Sequence, residues 1–503
     1  MTIQIFPEDV HNKKLIENLH PADWENPFPA RKYNLVVIGA GPAGLVTAAG
    51  AAGLGAKVAL VEKHLMGGDC LNYGCVPSKS LISSARVVQE ILSSNRYGIK
   101  ATQPTVDFSA VMERVHQIRA RLSEHDSVRR FTDLGIDVFL GEGQFTGSHT
   151  FGVDGKTIRF KKAVIATGAR AAEIPIPGLK ETGFLTNETV FSLTNLPKRL
   201  AVIGGGPIGC ELAQAFRKLG SDVTLIDTAL HILIREDADA AEILQKILVE
   251  DGIRLLLNCS TKKIEQTEQG KRISYEIAGN AHEILVDDIL LSVGRAPNVE
   301  GLNLETVGVE YDGRRGIKVD DRLRTANEHI YAVGDVCMRY QFTHAADAAA
   351  RIVIQNALFH GRKKLSGLTI PWCTYTYPEI AHVGLNEAEA ARQNISIDTF
   401  SKQLKEVDRA IADGVEEGFV KVHVRKGTDT IVGATIVASN AGDMINEITC
   451  AITQNIGLSK ISAVIHPYPT QAEAIKHVAD AYMRTKLAPT VAKILKLWLW
   501  GVR

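Results

Sequence analysis

The chain has 503 residues, enough for about three domains that each bury a core. Its 57 Lys+Arg balance 57 Asp+Glu; without net charge it lacks the electrostatic footprint that binding a phosphate backbone needs, so no nucleic-acid partner is expected. At 45% hydrophobic and 23% charged, with seven scattered cysteines, it reads as neither a disordered chain, a polytopic membrane protein nor a secreted disulfide scaffold.

Residues 1–30, with Pro21, Pro27 and Pro29, read as an N-terminal arm that lies on the surface or is disordered. The opening MTIQIFPEDVHNKK mixes acids and bases without an apolar core of signal-peptide length, so a cytoplasmic location is expected. The uncharged run from Leu35 to Ala56 is long enough to span a bilayer. Its glycines and Pro42 instead punctuate it as strand, turn and packed helix.

That run opens NLVVIGAGPAGLVTAAGAAGLGAKVALVE, with GxGxxG on Gly39, Gly41 and Gly44 and an acid at Glu62. RLAVIGGGPIGCELAQAFRKLGSDVTLID repeats the order on Gly204, Gly206 and Gly209, with Asp227 at the same spacing. In such a turn the first glycine permits the tight bend, the second lets backbone approach a pyrophosphate, and the third allows close helix packing. The helix start offers unpaired N–H groups to phosphates, and the acid accepts hydrogen bonds from ribose hydroxyls. Two dinucleotides are therefore expected, one per unit. A carboxylate at Asp227 repels a 2′-phosphate and favours NAD(H) over NADP(H), with Arg235 the residue that could serve a 2′-phosphate instead.

Directly after the first unit, GGDCLNYGCVPSKSLISSARVVQEIL carries Cys70 and Cys75 ahead of a helical pattern from about Val76. In an ideal helix, Cα atoms five residues apart lie roughly 8 to 9 Å from each other, beyond the disulfide limit of about 7 Å. Pairing therefore requires a distorted segment. Gly74 supplies backbone freedom, and Pro77 suits a first helical turn. A thiol there is stabilised as thiolate by the helix dipole and by Lys79, as a redox centre requires. Cys210 reads as small-residue packing, and Cys259, Cys337, Cys373 and Cys450 as core thiols. No residue cluster has structural zinc spacing, so no metal site is expected.

The GGxCxxxGCxPSK element behind a Rossmann fingerprint resembles the class I pyridine nucleotide-disulfide oxidoreductases: dihydrolipoamide dehydrogenase, glutathione reductase and mercuric reductase. ATG at 166–168, VGRAPN at 293–298 and YAVGD at 331–335 follow in the family's order, and the likeness runs from about Lys32 to about Ala481. The resemblance implies an α/β fold with two Rossmann-like dinucleotide-binding domains and a C-terminal α+β dimerisation domain. It divides the chain into an FAD-binding domain (31–180 and 300–370), an NAD(P)-binding domain (181–299), a dimerisation domain (371–485) and a basic amphipathic tail (486–503). It further implies a homodimer whose active sites are shared between subunits.

Carried over by resemblance, Glu62 holds the FAD ribose and Asp335 approaches the ribityl and phosphate region. Lys63, Gly68, Thr167, Gly168, Gly294, Arg295 and Gly334 join the motif glycines in binding cofactor. Cys75 becomes the thiol next to the flavin, able to give a long-wavelength thiolate band, and Cys70 the outer thiol that exchanges with substrate. Lys79 and Glu211 match a pair beside the flavin ring; an ordinary buried ion pair is the plainer reading.

The family's acid-base residue is usually histidine in an HPT element followed by glutamate. Here IHPYPTQAEAIK places Tyr468 at that position, Glu473 at the glutamate, and His466 two residues earlier. An unperturbed tyrosine has a pKa near 10 against about 6.5 for histidine, so it shuttles protons poorly at neutral pH. Mercuric reductases also carry tyrosine there, and their dithiol delivers a soft metal ion. This chain resembles them more closely, although it ends LKLWLWGVR without their cysteine pair, no CxxC precedes Arg31, and Phe184 stands where they have a tyrosine. The expected function is mercuric reductase-like transfer from NAD(P)H through FAD and the cysteine pair to a small-molecule acceptor. The alternatives are a dihydrolipoamide dehydrogenase using His466 as base, and a non-catalytic flavoprotein that senses redox state or docks on a membrane. The tail, with Lys486, Lys493, Lys496, Arg503, Trp498 and Trp500, is read as packing against the dimer, with membrane contact the second reading.

Overall fold

A computed structural model describes residues 3–487 and 489–503, the side chains of 489–492 excepted. It divides into two compact units, one comprising 1–93, 100–228 and 252–368, the other 94–99, 229–251 and 369–503.

The first unit begins with a helix where an arm was expected. Helix α1 (Val10–Leu19) is capped by Asp9, whose Oδ1 accepts the Asn12 amide at 2.7 Å. Leu15 and Leu19 are fully buried. Asp9 also meets the buried His116 at 2.6 Å, on α5 (Phe108–Leu122). The prolines that suggested an arm all follow this helix, and spacing of Leu15 and Leu19 by one turn supplies its buried stripe.

Strand β1 (Tyr33–Ile38), helix α2 (Pro42–Gly53) and strand β2 (Val58–Glu62) form the first βαβ unit. Near-continuous apolar strands suit a parallel sheet covered on both faces. Among the described residues the sheet runs β3 (Asp137–Leu140), β2, β1, β6 (Lys156–Ile165), then β5 (Thr150–Val153) and β4 (Gly143–Gly147). Here β1 pairs in parallel with both β2 and β6. The cysteine segment forms two helices, α3 (Gly68–Asn72) and α4 (Cys75–Ser93).

The second motif copy builds β7 (Arg199–Ile203), α6 (Pro207–Leu219) and β8 (Asp222–Ile226), in the sheet order β9 (Arg254–Leu256), β8, β7, β10 (Asp288–Leu291). Strand β11 (Ile330–Ala332) then returns to pair with β6 of the first sheet, and α7 (Thr343–Phe359) follows.

The other unit carries an antiparallel sheet in the order β12 (Pro371–Thr374), β13 (Glu379–Gly384), β16 (Ile431–Ala438), β15 (Phe419–Arg425), β14 (Ile397–Gln403). Its core includes Val420, Val422, Ile436, Ile448 and Ile475, drawn from sheet strands and from α8 (Ala441–Thr453) and α9 (Glu473–Thr485). Residues 229–251 belong to this unit although they fall in the stretch expected for NAD(P) binding. Buried Lys421 holds them, with Nζ 2.9 Å from both Asp237 and Asp239. Burial is offset at Asp237 by nearby His423, by Lys421 and by the Thr435 hydroxyl that donates to it at 3.0 Å, which together hold its carboxyl well below the ordinary range. Helix α10 (Pro489–Gly501) ends the chain.

Candidate active site

Both glycine turns adopt the conformation their residues permit. Gly39 and Gly204 have φ of 101° and 111°, a region that side chains rarely occupy. A Cβ on Gly44 would stand 1.8 Å from the Gly39 carbonyl, and one on Gly209 1.9 Å from that of Gly204. Gly41 and Gly206 then start α2 and α6, aiming free helix N–H groups outward. Each acid ties down its turn: Glu62 Oε2 accepts the Ala40 amide at 2.6 Å, and Asp227 Oδ2 the Gly205 amide at 2.5 Å. Glu62 also accepts the His64 amide at 2.8 Å; burial pushes its carboxyl up while these N–H groups pull it down. A cradle that a single Cβ would fill, with an acid at the next strand end, fits a dinucleotide at each turn.

The cysteine pair sits against the first turn. A Cβ on Gly68, whose φ is 56°, would stand 2.5 Å from the Gly41 Cα. Helix α3 stops at Tyr73, Gly74 breaks the path, and α4 starts at Cys75. This break is the distortion the spacing required. Both cysteines are free thiols. Their environments differ sharply: the Cys70 thiol is pushed far up by its hydrogen bond with Cys75 and by burial. That same bond lowers the Cys75 thiol to about 6 against the opposing effect of burial, with the Lys79 ammonium assisting. Lys79 Nζ lies 2.7 Å from Glu211 Oε2, linking α4 to α6, and the Glu211 side chain is only 6% exposed.

Sequence reasoning missed Thr343, whose Oγ1 lies 3.6 Å from Cys75 Sγ at the start of α7. It also missed Asp69, whose carboxylate meets Arg295 Nη2 at 3.0 Å and accepts from Asn187 at 3.0 Å. An acid immediately before Cys70 was the available signal for Asp69; Thr343 is remote in sequence and carried none. Arg295 also reaches to 4.0 Å from Asp335 and donates to the Ala169 carbonyl at 2.7 Å. Burial raises Asp335 to about 6 against the pull of Arg295. Thr167 donates to the Asn298 carbonyl at 2.7 Å, and Gly168, Gly294 and Gly334 take φ of 67°, 123° and 83°. Lys63 is exposed beside Glu62.

Tyr468, His466 and Glu473 lie in the other unit. Tyr468 precedes a cis proline, is 71% exposed, and donates to Asp408 Oδ2 at 3.0 Å. The His466 side chain is 6% exposed and lies 3.1 Å from Glu447. Glu473 opens α9 and accepts from the Thr470 amide at 3.5 Å.

Family models for pyridine nucleotide-disulphide oxidoreductases match residues 33–350, and their dimerisation domain matches 370–479, supporting a homodimer. The chain is 34% identical to mercuric reductase of Staphylococcus aureus over 447 residues, covering 89% of this chain and 82% of that one. It is also 34% identical to dihydrolipoyl dehydrogenase of Geobacillus stearothermophilus over 458 residues, covering 90% and 96%. The HOCl-induced flavoprotein disulfide reductase RclA from Escherichia coli superposes with a TM-score of 0.80 at 29% identity, over 89% of this chain and 99% of that one. With the thiol pair set against the first of two dinucleotide turns, the chain belongs to the class I pyridine nucleotide-disulfide oxidoreductases, enzymes that use FAD and a pyridine nucleotide.

Proposed function

We propose that this chain is a mercuric reductase-like oxidoreductase. It draws electrons from a nicotinamide cofactor, NADH being favoured by Asp227, and delivers them through Cys70 and Cys75 to a small-molecule acceptor in a cytoplasmic homodimer with shared active sites. FAD, when bound, supplies two-electron exchange between a pyridine nucleotide and a disulfide. Gly39, Gly41, Gly44, Glu62, Gly68, Thr167, Gly168, Gly334 and Asp335 would hold it, and Gly204, Gly206, Gly209 and Asp227 the nicotinamide cofactor. Two electrons entering the Cys70–Cys75 disulfide break the S–S bond; one proton settles on Cys70, and Cys75 stays thiolate beside Lys79. The asymmetric thiol environments support that division of labour. Cys70 then exchanges with the acceptor.

The choice of acceptor rests on Tyr468. Its hydroxyl is committed to Asp408, which raises its pKa further, so it is a poor proton shuttle near neutrality. The histidine that could replace it is turned onto Glu447 with its side chain buried. A dithiol without a presented imidazole suits a soft metal ion, which thiolate sulfur binds directly. Similar solved structures include a Cu(II) complex of RclA, so Cu(II) and Hg(II) are the acceptors to try first.

The test is NADH oxidation by the purified, FAD-loaded dimer with lipoamide as acceptor, across pH. No lipoamide turnover, with NADH still bleaching the flavin and metal ions sustaining turnover, supports the proposal. Rapid lipoamide turnover that disappears in His466→Gln moves the assignment to dihydrolipoamide dehydrogenase. Flavin that stays oxidised under anaerobic NADH favours the non-catalytic reading.

A further inference from the structure

Helix α10 is the strongest feature the redox chemistry leaves unused. From 481 to 503 the chain carries Arg484, Lys486, Lys493, Lys496 and Arg503 and no acidic side chain, although the whole protein is neutral. Its large apolar residues are exposed: Ile494, Leu495, Leu497 and Leu499, with Trp498 at 62% and Trp500 at 78%. At 100° per residue, Ile494, Leu495, Trp498 and Leu499 share one face of the helix, while Lys493 and Lys496 lie on the opposite side with Trp500 between them and Leu497 at its edge.

Length decides between spanning and lying flat. The 13 residues of α10 extend about 20 Å, against a hydrocarbon core of about 30 Å. Among the described residues no helix is long and apolar enough to cross a membrane. A short helix with an apolar face, tryptophans and flanking cations is instead suited to the interface plane, where indole rings sit at headgroup level and lysines reach anionic headgroups.

Packing against the dimer is the alternative occupant of this face. Two observations weigh against it. The match to the family's dimerisation domain ends at 479, before the tail begins. A second copy of this segment would also bring cations against cations, whereas an anionic surface complements them. We propose that α10 docks this enzyme on the surface of an anionic lipid bilayer, with Ile494, Leu495, Trp498 and Leu499 inserted and Lys493, Lys496 and Trp500 toward the headgroups.

The experiment uses the full, FAD-loaded chain and vesicles of phosphatidylcholine with or without phosphatidylglycerol. The expected result is co-sedimentation with phosphatidylglycerol vesicles, about tenfold or more stronger than with phosphatidylcholine alone and weakened by salt. Brominated lipid should quench tryptophan fluorescence in the parent chain and much less in Trp498→Ala, the tryptophan on the apolar face. Lys493→Glu/Lys496→Glu should abolish the preference for phosphatidylglycerol, while both variants keep the NADH oxidation rate measured without vesicles. No co-sedimentation at low salt would overturn the proposal, as would equal binding to both vesicle types. Trp498 and Trp500 already shielded from acrylamide in the vesicle-free dimer would overturn it too, and return the tail to the subunit interface.

Discussion

The two glycine turns are near copies that meet different surroundings. Their first glycines differ by 10° in φ, their helix-start glycines by no more than 2° in φ and ψ, and their acid-to-turn hydrogen bonds by 0.1 Å. The first is closed by Gly68, where a Cβ would stand 2.5 Å from the Gly41 Cα; at Gly206 nothing lies within 4 Å of where a Cβ would point. A closed turn carrying the thiols on the adjoining helix suits a resident cofactor. An open turn suits one that arrives and leaves. Local sequence alone makes two nucleotide sites; the segment that follows each copy makes them unequal.

The strongest way to break this comparison is to fill each turn. Gly44→Ala places a methyl 1.8 Å from the Gly39 carbonyl, and Gly209→Ala one 1.9 Å from the Gly204 carbonyl. Neither obstacle is a flexible side chain, so each substitution should cost at least about 3 kcal/mol at its own turn. Gly44→Ala should emerge as FAD-free or insoluble protein. Gly209→Ala should keep FAD, read from flavin absorbance per chain after gel filtration, and lose NADH binding by calorimetry. Loss of FAD from both variants would show that the turns stand or fall together.

These turns were legible because a nucleotide turn is a local solution: three glycines and an acid at fixed spacing determine it within one βαβ unit. The Cys70 and Cys75 break was legible for the same reason, since Gly74 lies between them. Other features depended on residues distant in the chain. Helix α1 is held by His116, about a hundred residues later, and its buried apolar stripe is only Leu15 and Leu19, one turn apart, ahead of a proline-rich stretch. Thr343 reaches Cys75 only through the return of β11 to the first sheet. The grouping of 229–251 with the C-terminal unit depends on Lys421, which no pattern around Asp237 announces.

The next test concerns what the first turn has that the second lacks. In the reduced enzyme the Cys75 thiol is lowered to about 6, in part by Lys79. Above that pH it should be thiolate and alkylate quickly, whereas Cys70 stays protonated through the neutral range. Lys79→Met removes the cation, so the midpoint of Cys75 alkylation should rise by about one pH unit. Iodoacetamide labelling followed by mass spectrometry should then slow several-fold near pH 6.5 and remain unchanged near pH 9.5, where both variants are thiolate. An unmoved midpoint would assign the low value to the Cys70 hydrogen bond alone and leave Lys79 and Glu211 as an ordinary ion pair.

The smallest expected effect separates two roles of the second acid. Asp227 accepts the Gly205 amide, so it braces the turn as well as placing a negative charge at the end of β8. Asp227→Asn keeps an oxygen for that amide and removes the charge. If repulsion of a 2′-phosphate sets cofactor choice, the NADPH to NADH ratio of kcat/KM should rise about tenfold, equivalent to about 1.4 kcal/mol, with FAD content unchanged. If bracing is its whole contribution, the ratio should stay constant while both cofactors behave as before. The corresponding change at the first turn, Glu62→Gln, gives no such ratio to read, because Glu62 is buried and spends both oxygens on the Ala40 and His64 amides. A selectivity set by either acid would therefore be read at the partly exposed Asp227, and Asp227→Asn is the substitution that measures it.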